Sequence, residues 1–542
     1  MVQTSTLKAF LLGISLLAAP SVFGQLSNPI PATIPFSDLK VHLRQFAQIP
    51  VGPKGNSENI PRINMVREVP DASGRMAVID LNGYLYMLDG QGQHNLYLNF
   101  RDHFPKFIDS PGKGTGSGAF AFHPEFADNG IFYTTHAEAN GAATADFRPL
   151  DDSKITLQWV LTRWVCSDKN ATTFSGSKKE LVRMEFTTQI HGTQDIAFNP
   201  YAQKGDADYG MLYVCQGEGG ASENGKYLNV ASKASFMGTI WRIDPEGNNS
   251  RNGKYGIPSD NPFVGEAGSV QETWAYGFRN PHRLAFEKKG EETLLFVGDI
   301  GQHNIEEVNL VKKGGHHGWD RREGTFEYKR TDRKVYNLPT TDAEEYVYPV
   351  AQYDHGEGNA ISLGAVWKAE HSPAFHGQFF LGDILHGHIF HAPFEALTQG
   401  TPYPLQKAKI IIPNGSETVF RDWITAPRVD LRFATKRNGE LLLFTKADGR
   451  IYTIHDGSNV TSLREKNNDG FWFGPNPATS RLTIHSKGQG QALVMDMSGK
   501  QLLVQQVAAA EQTLDISKLP GGTYILLVQD KDRIHHHLFL KQ

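Results

Sequence analysis

Cysteine is nearly absent. The chain has two, Cys166 and Cys215, and no Cys-x-x-Cys spacing, which excludes a zinc ribbon. Two thiols admit either one disulfide in an oxidising compartment or a pair of buried free thiols. A basic excess is also missing. Lys and Arg total 54 against 58 Asp and Glu, for a net charge of -4. That excludes nucleic acid or an anionic membrane as the main partner, because each needs a concentrated basic face. Beyond the first two dozen residues no apolar run reaches the ~20 residues that cross a bilayer as a helix. Amphipathic helical periodicity is scarce. Aromatics at 11% are too many for a disordered chain.

What is present begins with a targeting signal. Lys8 supplies a positive start, residues 9–18 (AFLLGISLLA) a short apolar stretch, and Val22-Phe23-Gly24 the small residues of a cleavage site before Gln25. Residues 1–24 are expected to be a removable signal, leaving a mature protein soluble outside the cytoplasm.

The recurring pattern after it is strand, tight turn, strand. Residues 75–80 (RMAVID) and 84–88 (YLYML) flank Asn82-Gly83, and the same grammar returns at 378–391 around His386-Gly387 and at 440–454 around Asp448-Gly449. Residues 211–215 (MLYVC) and 293–297 (TLLFV) read as buried strands. Many short strands over more than 400 residues suit an all-β chain built by radial repetition, as in a β-propeller, which hides most strand edges. A β-sandwich array is the alternative. Segments 136–180 and 244–271 read as long polar insertions. A polar, Gly/Asn-rich linker is placed at 457–470, followed by a small β-domain at 471–542. His535-His536-His537 reads as part of a partly solvated strand in preference to a metal tract.

Within the last 72 residues, PNPA, MDMSGKQL, LDISKLPGGTYIL and a final FLKQ occur in order. They resemble the C-terminal sorting domains of type IX secretion cargo in Bacteroidetes. The resemblance implies a small C-terminal β-sandwich, the type IX secretion machinery as a partner, and a secreted or cell-surface location. A generic carbohydrate-binding β-module is the less favoured alternative.

Between 60 and 455 stand PDASGRMAVIDLNGYLY, GSGAFAFHPEFADNGIFYTTH, HGTQDIAFNP, GTIWRIDPEG, YGFRNPHRLAFE, GDIGQHNIEEVNLVKKGGHHGWDRREG, YPVAQYDH and RVDLRFATKRNGELLLFTKADGRIY. These blocks resemble the glucose/sorbosone dehydrogenase family. That resemblance implies a six-bladed β-propeller over 25–456 that uses pyrroloquinoline quinone (PQQ) and Ca2+ to oxidise a sugar. By the same resemblance His191 is the catalytic base, and Glu218 stands where the family carries an orienting aspartate. Arg279 and Asn280 lie beside the quinone. The main-chain carbonyls of Gly301 and Gln302, the latter where proline is common, hold the calcium.

The chemistry suits those residue types. Alcohol oxidation by hydride transfer needs a base for the hydroxyl proton, an electrophilic acceptor, and positive charge for the reduced acceptor. Histidine is the natural base near neutral pH, and a guanidinium keeps its charge beside an anion. Arg432, Lys446 and Arg450 are further candidates for the quinone. Glu306 and Glu307 read as surface carboxylates at a strand end. Asp206 and Asp208 read as a solvated turn, with a structural calcium as the alternative. Two other functions are open: a non-catalytic surface propeller that binds glycan or protein, and a calcium-dependent propeller lactonase, for which no convergent ligand set is identified.

Overall fold

Turn chemistry sets the strands. Met76–Asp80 and Tyr84–Leu88 pair antiparallel around Gly83, whose φ of 95° favours glycine. The hairpins expected at 378–391 and 440–454 form as well, from Gln378–Asp383 with Ile389–Pro393 and from Leu441–Thr445 with Arg450–His455. The computed structural model describes residues 25–458 and 472–541, except 111–112, 152, 342–344, 475–477, 486–489, 497–498, 509–510 and 531–532. The expected signal at 1–24 and nearly all of the linker at 457–470 lie outside the described residues. Within them the two α-helices, Phe126–Asn129 and Phe420–Ile424, are single turns.

The strands fall into antiparallel groups of four, each meandering outward in chain order. The first strand of each group packs against the first strand of the next. Ile63–Glu68 contacts Ser117–Phe122, followed by Thr193–Phe198, Pro281–Lys289, Ile361–Val366 and Leu431–Thr435, which returns to Ile63–Glu68. The inner strands therefore form a closed ring. Strands are buried on both faces where each group is sandwiched between two others, as in the inner strand Ile361–Val366, where all six residues are buried. Trp159, Trp164, Trp241 and Trp367 fill the space between groups and are fully buried.

The last group borrows its outermost strand from the other end of the chain. Phe36–Gln48 pairs antiparallel with Arg450–His455 and parallel with Gln406–Ile411 of the preceding group. Its alternating burial marks an outer strand with one wet face: Val41 and Leu43 point inward, and Asp38, Lys40 and Arg44 point out. The segment before it lies across the last inserted strands. The Leu26 N–H donates to the Val335 carbonyl, and the Ile30 and Ile34 N–H groups donate to Asp354 and Glu357.

One expected insertion is corrected. Segment 136–180 is not one insertion but runs through three strands and their loops: Ile131–Ala139, Leu157–Cys166 and Gly176–Phe186 are consecutive members of one group. The apolar run LQWVLTRWVC is the middle strand, held by Trp159 and Trp164, and the polar loops on either side obscure it in the sequence. Segment 244–271 is a strandless connection, as expected. A further insertion at 311–350 carries its own ribbon of Arg322–Glu323, Phe326–Lys329 and Lys334–Tyr336. The two cysteines are free and buried in separate groups, and the Cys166 thiol donates to the Gly130 carbonyl.

After residue 471, Trp472–Gly474, Arg481–His485 and Glu511–Asp515 form one antiparallel sheet. Gln501–Val507, Gly490–Met495, Gly522–Asp530 and Arg533–Lys541 form another. Phe473, Leu482, Val494, Leu514, Leu526 and Phe539 from both sheets share one core. The histidine tract runs within the final strand.

Leu43, 4% exposed on the closing strand, is expected to lose about 2–5 kcal/mol on substitution to alanine, as an apolar contact is lost and a cavity left. Denaturant unfolding of Leu43→Ala measures it.

Candidate active site at the mouth of the ring

The inner strands enter the ring from the same end. The Arg283 guanidinium donates to the carbonyls of Gln194 at 2.9 Å and Asn64 at 2.5 Å, and the Leu284 N–H to Asp195 at 2.8 Å, so equivalent positions lie level. The residues just before these strands line the mouth. Three of them, Arg62, His191 and Asp430, have φ between 51° and 55°, the left-handed region that non-glycine residues adopt at a cost.

His191 is one of these strained residues. Its Nδ1 lies 2.6 Å from Glu218 Oε1. Glu218 is fully buried and is fixed by the N–H groups of Gly220 at 2.9 Å and Ser222 at 2.6 Å. The extra methylene of glutamate over aspartate is thus absorbed with the histidine contact kept short. Burial, then the nearby Arg279 charge, pushes the His191 imidazole below its ordinary range. Burial pushes the Glu218 carboxyl up, but the His191 hydrogen bond and the Arg279 charge outweigh it and hold the carboxyl low. A neutral imidazole whose Nδ1–H faces a carboxylate carries its lone pair on Nε2, the form a general base needs.

Arg279 and Asn280 follow from a second carboxylate. Asp299 accepts the Arg279 N–H at 2.9 Å and the Asn280 N–H at 2.7 Å. The Arg279 guanidinium then spans the mouth, donating to the carbonyls of Ile300 at 2.9 Å and Gly301 at 2.7 Å, and pairing with Glu223 at 2.9 Å. It lies 5.8 Å from the Trp319 ring. Trp319 belongs to the 311–350 insertion. Its Nε1–H donates to Ser222 at 3.0 Å, and its ring packs on Tyr328, whose hydroxyl donates to Gln302 Oε1 at 2.6 Å. The insertion therefore walls this side of the site and joins the Glu218 turn to the Gly301–Gln302 loop.

A cationic group lies across from it. Arg428 and Lys446 pair with Asp430 at 2.8 and 3.4 Å, and Arg432 approaches it at 3.7 Å. Burial pushes the Lys446 ammonium down to about 8, with Asp430 opposing and Arg432 and Arg428 adding. Buried His282, two residues after Asn280, is pushed well down by burial and then by Arg283, Arg432 and Lys446. Among the described residues, Arg279 Nε, Asn280 Oδ1, His282 Nδ1, Gln302 Nε2 and Arg432 Nε are buried without a hydrogen-bond partner.

The sequence expectations divide. His191, Glu218, Arg279, Asn280 and Gly301 come together, and Gln302 joins them through the same loop. Arg432 and Lys446 belong to the mouth. Arg450 does not, since it turns outward to Asp448. Glu306 and Glu307 are not surface groups. Both are buried, and burial raises both carboxyls. Glu306 pairs with His355 at 2.9 Å, and Glu307 sits directly opposite Asp299 on the neighbouring strand. They lie within a strand between two others, where alternation alone does not distinguish a wet face from a buried polar one. Asp206 and Asp208 lie in a turn, as expected; Asp206 is exposed, whereas Asp208 is half-buried and ion-paired with Arg242 at 2.9 Å. Arg428, Asp430 and His282 escaped notice, although all lie in the RVDLR and RNPHR blocks.

A family model described as Glucose / Sorbosone dehydrogenase matches residues 65–412, and one described as Secretion system C-terminal sorting domain matches residues 474–541. HIPL1 protein of Arabidopsis thaliana is 27% identical over 307 residues, covering 50% of this chain and 42% of that protein. Quinoprotein glucose dehydrogenase B of Acinetobacter calcoaceticus is 24% identical over 254 residues, covering 46% and 48%. The matches thus span less than half of these relatives. A solved structure of a glucose dehydrogenase superposes with a TM-score of 0.53 at 16% identity, covering 76% of this chain and 98% of that one, a likeness of fold.

Because Glu218 opposes the downward push on His191, Glu218→Gln is expected to lower the imidazole pKa further. Histidine-selective NMR titration checks the direction, and a rise would contradict the pairing.

Proposed function

The chain belongs to the glucose/sorbosone dehydrogenase family and carries a secretion system C-terminal sorting domain; on that footing we propose that it is an exported oxidoreductase that uses PQQ and calcium to oxidise an aldose or related sugar by hydride transfer, with His191 as base. The four-stranded groups over 25–456 are the blades of a six-bladed β-propeller. Residues 457–470 are the linker, and 471–542 form a β-sandwich that addresses the protein to the type IX machinery after the signal at 1–24 has taken it across the first membrane.

One observation carries the reading: the His191–Glu218–Arg279 arrangement opens onto buried polar atoms that have no protein partner. Those atoms fit the implied groups. Arg279 Nε, Gln302 Nε2 and Arg432 Nε, with the Lys446 charge, suit a planar polyacid. Asn280 Oδ1 and the carbonyls of Gly301 and Gln302 are the hard oxygen donors that calcium takes, and a carbonyl already bonded to Arg279 keeps a second lone pair.

When bound, the calcium-polarised quinone supplies the electrophile that accepts hydride from the alcohol carbon. His191 Nε2 removes the hydroxyl proton. Glu218 keeps the ring in that tautomer and stabilises the imidazolium that results. Arg279, Arg432 and Lys446 hold the negative charge of the cofactor. The strained backbone at His191 presents the ring at the mouth instead of packing it within the ring wall. A second reading, a non-catalytic surface propeller that binds glycan or protein, is favoured by the Glu223 carboxylate that already pairs with Arg279.

Adding PQQ and Ca2+ to the purified protein is expected to give aldose-dependent dye reduction, and His191→Ala to lower kcat by about 10²–10⁴-fold. An absorbance and fluorescence titration with no PQQ uptake would favour the second reading. The acid limb of kcat/KM is expected below pH 6.5, because the lowered imidazole stays neutral there. Quinone affinity is expected to fall as pH rises through about 8, where Lys446 loses its proton, and Lys446→Met to remove that dependence.

A further inference from the structure

Glu323 lies outside the machinery described so far. It is carried by the two-residue strand Arg322–Glu323 of the 311–350 insertion and is 1% exposed. Its Oε1 accepts the backbone N–H groups of Gln302, His303, Asn304 and Ile305 at 2.8, 3.1, 3.0 and 3.2 Å. Its Oε2 accepts the Asn304 side-chain amide at 2.7 Å. Four consecutive main-chain donors thus converge on one oxygen, an anion nest whose anion is supplied by the protein itself. A buried carboxylate is costly unless so satisfied, so the loop and the side chain hold each other.

The peptide unit is planar, which gives this grip a second effect. The Gln302 N–H shares its plane with the Gly301 carbonyl, and the His303 N–H shares its plane with the Gln302 carbonyl. Fixing the two N–H groups on Glu323 fixes the direction of both carbonyls, on the far side of their planes. The turn is tight enough to exclude a side chain at position 301: a Cβ there would lie 1.8 Å from the Ile305 carbonyl oxygen and 2.8 Å from Glu323 Oε1. From the other side, the Arg279 guanidinium holds the carbonyls of Ile300 and Gly301.

We propose that Glu323 is the positioning residue of the cation site, aiming the Gly301 and Gln302 carbonyl oxygens at a hard divalent cation through the two peptide planes. The proposal takes its ligand from the calcium reading given above. It also assigns the 311–350 insertion a part in cation binding.

The test uses the full-length protein stripped of metal. Wild type, Glu323→Ala and Glu323→Gln are titrated with CaCl2 by calorimetry, and amide exchange of the 302–305 segment is followed by mass spectrometry. Glu323→Ala is expected to speed exchange there and weaken calcium binding by about 10–100-fold. Glu323→Gln keeps an oxygen that accepts N–H bonds and is expected to recover most of both. Equal calcium affinity in wild type and Glu323→Ala overturns the proposal alone, as does unchanged exchange. A wild type that binds no calcium overturns the cation assignment together with it. Should Glu323→Ala not fold by circular dichroism, Glu323→Asp, one methylene short of the nest, carries the test. Its expected loss is at least about tenfold, and undiminished binding overturns the proposal.

Discussion

One guanidinium at the centre of the ring holds the arrangement on which everything at the mouth depends. Arg283 reaches from its own strand to the carbonyls of Gln194 and Asn64, and Asn64 reaches in turn to Gly118. Inner strands from four groups are thereby kept level. Burial pushes the Arg283 side chain down to about 10, so it still carries its charge at neutral pH. That charge is stabilised by main-chain oxygens and by Asp195 nearby. If these strands slipped by one residue, each side chain would turn to the opposite face. His191, Arg279 and Asp430 would then no longer share an opening.

The mouth gathers more charge than a folded interior usually carries, and it does so in linked sets. Glu218 serves His191, Asp299 serves the backbone of Arg279 and Asn280, and Asp430 serves Arg428, Arg432 and Lys446. In each case a buried carboxylate fixes a residue that faces the opening, and main-chain N–H groups or cations compensate the carboxylate. Among the described residues, five buried polar atoms without a hydrogen-bond partner, Arg279 Nε, Asn280 Oδ1, His282 Nδ1, Gln302 Nε2 and Arg432 Nε, belong to residues gathered at this mouth. Open donors and acceptors, beside buried cations, suit a bound polar group.

Much of this was legible in the sequence. Asn-Gly and Asp-Gly turns fixed the hairpins because their backbone geometry is local. The blocks around HGTQD, RNP and GQHN picked out His191, Arg279, Asn280 and the Gly301–Gln302 loop. What escaped is physically alike. The strand at 157–166 was hidden by polar loops, and the ring closure by a partner far away in the chain. Glu306 and Glu307 read as surface acids, and Glu323 drew no notice, because a buried, hydrogen-bonded carboxylate has the same one-letter code as one in water. Arg432 and Arg450 sit on the two strands that flank Leu441–Thr445 in one sheet, and only the fold decides which faces the mouth.

The closing strand also sets a timetable. Phe36–Gln48 is synthesised early, yet Arg44 meets Thr453, 409 residues later. At about 5–20 residues per second the ribosome takes roughly 20–80 s to supply that partner. Throughout that interval the first strand is an open edge, the kind that recruits other chains. Asp38, Lys40 and Arg44 stud its outward face. In the finished protein they lie on the wet face, with Arg44 reaching Thr453 and Asp38 near Lys409; on an edge still waiting for its partner, the same charges disfavour pairing with another chain.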